Sequence, residues 1–271
     1  WSTIFSLQNV VIIIYLSASL FSYFALLISK YPRFSKSFPL LNSVFLFGKS
    51  AMNSPTYSFL LVPKRWFCHF YFTSVFVSFT TLLTSITHKD NLPTEIALLV
   101  VAIQAAKRLY ENLFVQIFSE SVMSVTHYFV GHYFYLTMPL SIYWSGKSAQ
   151  NKGYFMMGFY FICSMIVIML QHIVVLQLAD TRRNVPKDER NTYRLPTGYM
   201  FAHVTCPHFA LEISLYAIIH LILGLRRLPF TATFIFILSN QLCSGMLNHM
   251  WYQRNYPEFA RSRNIIIPFV F

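Results

Sequence analysis

His208, Glu212 and Tyr216 recur at intervals of four in the apolar run that begins at Pro207. On a helix they share one face. An imidazole, a carboxylate and a phenol on an apolar helix are costly unless they line a polar cavity. That combination suits one wall of a cofactor site. A second cluster comprises Gln104, Lys107, Arg108 and Glu111, with Asn112 beside it. Gln104, Arg108 and Glu111 fall at i, i+4 and i+7, and Glu111 is spaced to pair with Lys107 or Arg108. The patch is either neutralised internally, so that its helix can enter a bundle, or it faces a polar cavity; charge in an apolar setting points to the cavity.

Further polar residues lie on two later lines. Asn240, Ser244, Asn248 and Tyr252 repeat every four residues, and Gln241, Gly245 and His249 form the adjoining line. Small residues and interhelical hydrogen bonds explain part of this pattern, but two amides, an imidazole and a phenol exceed what packing needs. In VPKRWFCHFYF (62–72) the aromatic residues read as an interfacial belt, with His69 or Tyr71 as candidates to face a pocket. His127 and His132 are five apart and diverge on a helix, a poor metal pair, so packing is the better reading there. The adjacent arginines Arg182 and Arg183 open a polar loop (180–198) suited to phosphate through bidentate hydrogen bonds. No GxGxxG or GxxxxGK[ST] segment is present, so a nucleotide would not be held by a Rossmann or P-loop device. The four cysteines have no CxxC spacing, so neither a disulfide framework nor a metal is indicated.

These residues must be positioned by membrane helices. The chain is 55% hydrophobic, 18% aromatic and only 11% charged, with a mean hydropathy of +0.49; a soluble domain carries about a quarter charged residues. Apolar runs predict about seven spans, near 9–29, 66–87, 94–118, 127–144, 154–179, 207–225 and 228–249. The fold expected is all-α and integral to the membrane, about seven transmembrane helices in a single bundle. Residues 1–65 are expected to form an anchor and a basic interfacial segment, and 66–271 the membrane-embedded bundle with the cofactor site toward its C-terminus. The first span would act as its own anchor, with no cleavable signal peptide.

The net charge of +12 follows topology rather than nucleic acid. With the N-terminus outside, Lys30 to Arg65, Arg182 to Arg194 and Arg254 to Arg263 place most lysines and arginines in loops on the cytoplasmic side. The C-terminus is then cytoplasmic too. Membrane lipid is the expected surroundings, with no nucleic-acid partner.

Three segments together resemble the steroid 5α-reductase family, and within it the branch that reduces polyprenal. They are VPKRWFCHFY (62–71), IQAAKRLYENLFV (103–115), and YRLPTGYMFAHVTCPHFALE (193–212) continued through NQLCSGMLNHMWY (240–252) to IPFVF (267–271). The similarity covers most of the chain after residue 62. It implies a multi-pass endoplasmic reticulum enzyme that reduces an activated C=C bond with NADPH. It also implies a cofactor site lined by Arg182 or Arg183, Tyr193, Arg194, His208, Glu212, Tyr216, His249 and Tyr252, to which we add Lys107, Arg108 and Asn248. His208 falls where steroid-reducing members have asparagine, and His249 with Tyr252 matches the family's His-x-aromatic-Tyr motif. Ala105 replaces a tyrosine that contacts the steroid carbonyl, and WFCHFY lacks the family's substrate-side glutamate. Both departures turn the expectation from a steroid toward polyprenal.

Reducing an allylic aldehyde needs a donor for the carbonyl oxygen in a water-poor site. Tyr110, His69 and Tyr71 are the candidates, with Glu111 nearby. The product would be dolichal, on the route to dolichol for protein N-glycosylation, and the protein is expected to act as a monomer. Three alternatives stand beside this one. The first is a reductase of another conjugated substrate, such as an enoyl thioester or a 3-oxo-4-ene steroid. The second is an S-adenosylmethionine-dependent prenylcysteine methyltransferase. The third is a transporter, which would show an inverted repeat; none is found in the sequence.

Overall fold

A computed structural model describes residues 6–31, 61–118, 122–183, 185–186, 193–225 and 227–267. The expectations for 32–60, for 187–192 of the polar loop and for 268–271 of the terminal IPFVF lie outside the described residues. The helices are α1 (Leu7–Lys30), α2 (Phe67–Thr87), α3 (Leu92–Tyr110), α4 (Val125–Gly146), α5 (Tyr154–Arg183), α6 (Pro207–Leu223), α7 (Leu228–Asn255) and the short α8 (Pro257–Arg261). Strands β1 (Leu61–Pro63) and β2 (Val122–Ser124) pair antiparallel, Leu61 opposite Ser124 and Pro63 opposite Val122, and bring the starts of α2 and α4 together.

Local signals set the helix ends. Asn91 caps α3 by accepting from the Thr94 amide at 3.1 Å, with Pro93 in the first turn. Ser124 caps α4 through the His127 amide at 3.2 Å. Pro207 starts α6, and Gly224, at φ 88°, ends it. The left-handed conformation there costs glycine nothing and another residue strain. Many serines and threonines in these apolar helices satisfy themselves by donating to a carbonyl one turn back, among them Ser19, Thr81, Ser164 and Ser239.

All seven apolar stretches become helices, but the structure does not support seven spans by length and composition. Among the described residues, four helical segments are long and apolar enough to cross a membrane: Leu7–Lys30, Lys64–Thr87, Tyr154–Arg183 and Leu228–Asn255. The physical reason is plain. Helix α3 carries Glu95, Lys107 and Arg108, α4 is rich in tyrosine, histidine and serine, and α6 has only 17 residues.

Helices α3, α4, α5, α6 and α7 share one core, in which Leu98, Ile142, Met157, Leu215, Ile219 and Phe230 are fully enclosed. Helix α1 lies along α7 and is fixed by Tyr15, whose buried hydroxyl meets Thr137 of α4 at 2.6 Å. The outer surface is apolar: Leu20 on α1, Phe76 on α2 and Met169 on α5 are each about 70% exposed. Only 28% of the most apolar window of α5 is buried. A helix apolar all round and mostly unburied is one that faces lipid.

Candidate active site

Near the end of α3 the helix widens into a π-turn, Glu111–Val115, closed by the Gln116 amide on the Glu111 carbonyl at 2.8 Å. Such turns shift the register of side chains and recur at functional sites. Here Glu111 and Asn112 turn inward, 0% and 5% exposed, while Tyr110 and Phe114 turn outward, 54% and 74% exposed.

Glu111 is the hub of a polar belt. Its carboxylate holds Lys107 at 3.1 Å, Arg108 at 3.0 Å and the His172 ring of α5 at 2.8 Å. Both local pairs read from the sequence therefore form. Arg108 uses its other terminal nitrogen to donate to the Tyr71 hydroxyl of α2 at 3.0 Å. Gln171 of α5 accepts from Gln104 at 2.6 Å and from Lys107 at 3.2 Å, and donates to Glu212 of α6 at 3.1 Å. The belt thus joins α2, α3, α5 and α6 in one chain of hydrogen bonds. A buried carboxylate is tolerated only where cations and donors compensate it, and three cationic or basic side chains do so here.

The belt borders a cavity of about 220 Å³. Phe67, Phe70 and Tyr71 of α2, Gly131, Phe134 and Tyr135 of α4, Glu212 and Tyr216 of α6, and Phe236, Asn240 and Gln241 of α7 form its wall. It is an aromatic chamber with a few convergent polar groups, the usual build of a small-molecule site. Gly131 makes room for it: a Cβ there would sit 2.8 Å from the Phe70 ring.

A second group sits where the chain returns after α7. Tyr193 and Tyr252 join through their hydroxyls, and Tyr256 donates to the Tyr193 carbonyl at 3.3 Å. Burial pushes the Tyr193 phenol up to about 12, against the lowering pull of its bond with Tyr252 and of nearby Arg182. His249 is bonded through Nδ1 to the Thr205 hydroxyl at 3.2 Å. The segment after α8 runs back along the start of α6, with the Thr205 amide on the Asn264 carbonyl at 2.9 Å and the Cys206 amide on the Ile265 carbonyl at 3.0 Å.

The structure brings Tyr71, Lys107, Arg108, Glu111, Glu212 and Tyr216 to the belt and cavity, and Tyr193, Tyr252 and His249 to the second group. His69 and Tyr110 lie outside the cavity wall: His69 is exposed and bonded to Tyr128 at 2.8 Å, and Tyr110 packs on Phe114. Arg182 donates to the Ile117 carbonyl at 3.1 Å, Arg183 pairs with Asp180 at the surface, Arg194 is exposed and Asn248 is half-buried. Sequence reasoning missed Gln171, His172 and Tyr135 as site residues. The signal for the first two was present, since two adjacent polar side chains interrupt a run of Met, Ile and Leu.

Among the buried polar atoms with no partner among the described residues are Gln104 Oε1, Gln177 Oε1 and His208 Nδ1. Buried groups of this kind are ordinarily satisfied, and an amide-bearing ligand would satisfy them. The two amide oxygens accept, so this set fits the N–H groups of a nicotinamide carboxamide.

Residues 112–271 match the sequence profile of a family described as 3-oxo-5-alpha-steroid 4-dehydrogenase. The chain is 27% identical over 275 residues to a polyprenal reductase of Caenorhabditis elegans, covering 85% of this chain and 87% of that one. It is 26% identical over 275 residues to a polyprenal reductase of Drosophila melanogaster, covering 83% and 82%. A polyprenal reductase of Saccharomyces cerevisiae is 28% identical over 218 residues, covering 77% of this chain and 75% of its own length.

Proposed function

The chain belongs to the 3-oxo-5-alpha-steroid 4-dehydrogenase family, a membrane-embedded oxidoreductase acting on C=C bonds, and we propose that its substrate is polyprenal, reduced at the α,β double bond to dolichal with NADPH. The names of its relatives support the substrate, and the chemistry of the cavity supports the reaction. NADPH would supply the hydride that reaches the β-carbon, and the resulting enolate would take up a proton from water at the α-carbon to complete the reduction.

Tyr71 is the residue that carries the reading. Of the three candidate donors it alone is part of the cavity wall, and its oxygen already accepts from Arg108 at 3.0 Å. Its single proton is thereby left for an acceptor in the cavity, the aldehyde oxygen. As negative charge gathers on that oxygen, the Tyr71 proton and the Arg108 guanidinium behind it stabilise it in surroundings with little water. Glu212, held by Gln171, and the orphaned His208 and Gln104 would orient the carboxamide of the cofactor. Arg182, Tyr193, His249 and Tyr252 would hold the remainder of the dinucleotide. A chamber of about 220 Å³ takes the end of a lipid rather than a whole drug-sized ligand, so the isoprenoid tail would extend into the bilayer. In this reading the enzyme resides in the endoplasmic reticulum membrane with its C-terminus cytoplasmic, acts as a monomer and feeds dolichol synthesis for protein glycosylation.

The test is NADPH oxidation by the purified protein in detergent with a short polyprenal, compared with polyprenol and a 4-ene-3-one steroid. Consumption with the aldehyde alone, lost in His249→Ala, is expected. Consumption with the steroid alone would move the substrate to the sibling branch, and failure to bind NADPH would remove the reductase reading.

A further inference from the structure

Two neighbouring cations outside the belt lack a countercharge among the described residues. Lys64, at the start of the helical segment that continues as α2, and Arg182, in the last turn of α5, are both half-buried. They stand close enough for their charges to repel. No carboxylate of the described residues pairs with either, whereas Lys107 and Arg108 are answered by Glu111 and Arg183 by Asp180. Like charges held together away from bulk water are costly, and an anion between them removes the cost.

The fold holds this pair in place. Strand β1 leads straight into Lys64, and its pairing with β2 sets Lys64 near His127 at the start of α4. Arg182 is fixed by donating to the Ile117 carbonyl at 3.1 Å, on the stretch that leaves the π-turn, and its charge reaches the Tyr193 phenol. We propose that Lys64 and Arg182 bind the 2′-phosphate of NADPH and so select it over NADH. This rests on the reductase reading. Arg182 lies eleven residues beyond Gln171, the partner of Glu212, which is about 16 Å along α5. It is thus far from the carboxamide end of the site and near Tyr193, where the remainder of the dinucleotide is held. A phosphomonoester carries about −1.5 to −2 at neutral pH, a charge that two cations match, while each phosphorus of the pyrophosphate bridge carries a single charge. Arginine meets phosphate through two parallel N–H groups and lysine meets it as a point charge. An arginine near the ribose is a known means of accommodating this phosphate in unrelated folds.

The test measures dissociation constants of NADPH and NADH for purified wild type, Lys64→Gln and Lys64→Arg in detergent, with no aldehyde present. Wild type should favour NADPH. Lys64→Gln should bind NADPH about 10- to 100-fold more weakly, the loss of one charge-assisted hydrogen bond, with its affinity for NADH unchanged. Lys64→Arg keeps the charge and should keep the preference. A second arm uses adenosine 2′,5′-bisphosphate and 5′-AMP, which differ only in the 2′-phosphate. The bisphosphate should raise the melting midpoint of wild type more than 5′-AMP does, and the two should act alike on Lys64→Gln. Equal weakening of NADPH and NADH in Lys64→Gln overturns the proposal and gives the pair to the pyrophosphate. Unchanged affinity for both overturns it in favour of another phosphate, such as a lipid headgroup. A wild type that binds NADPH and NADH equally well overturns it while leaving the reductase reading in place. Binding of neither dinucleotide by wild type overturns the reductase reading, and the proposal with it.

Discussion

Tyr71 and Glu111 are linked through Arg108, which donates to both. Tyr71 lines the cavity, and Glu111 holds Arg108 in place behind it. Tyr71→Phe removes one proton and keeps the ring, so NADPH affinity should hold while kcat falls 10²- to 10³-fold, roughly the loss of one oxyanion donor. A loss below about tenfold would return the role to another residue. Glu111→Ala strands Lys107 and Arg108, which are only 13% and 25% exposed. Removing one partner of a buried ion pair costs about 3–5 kcal/mol, and thermal unfolding in detergent would read it. Asp180→Asn breaks the pair with Arg183, whose members are 59% and 55% exposed. Its cost should stay within about 0.5 kcal/mol, and a larger one would mean that the surface pair has a role the bundle does not explain.

At the level of elements, the contact between α2 and α4 sets the size of the cavity. Gly131 lets the Phe70 ring approach so closely that a methyl group would stand 2.8 Å from it. Gly131→Ala must push the ring, at a cost of about 1–3 kcal/mol for overpacking. Because Phe70 lines the cavity, KM for the aldehyde should rise while NADPH binding stays as it was; unchanged steady-state constants would show that Phe70 does not meet the substrate. The helices themselves were legible, since each of the seven apolar stretches folds as one. The π-turn was not. A repeat of i, i+4 and i+7 assumes an unbroken α-helix, which holds as far as Glu111 and its pairs with Lys107 and Arg108 and then gives way across Glu111–Val115. Tyr110, a candidate donor by sequence, precedes the turn and faces outward, while Glu111 and Asn112 are buried together.

Among the described residues, the helices are apolar toward the core and on the outer surface, with charge gathered in one belt and near the helix ends. A protein of this kind should stay in the membrane fraction through alkaline carbonate and high salt and leave it only with detergent. Release by carbonate would contradict the reading of α1, the long α5 and α7 as spans. Hydrophobic length and composition by themselves determined that the chain is helical and membrane-bound, because both follow from local free energies of transfer and backbone satisfaction. The types and spacing of His208, Glu212, Lys107, Arg108 and Glu111 likewise marked polar positions that an apolar helix would not keep without a use. Partnership was decided only by tertiary structure. Gln171 lies 67 residues from Gln104 and 41 from Glu212, and Tyr71 lies 37 from Arg108. Which of Tyr71, His69 and Tyr110 meets the cavity depends on how α2 packs against α3 and α4, and helical spacing within one segment carries no record of that packing.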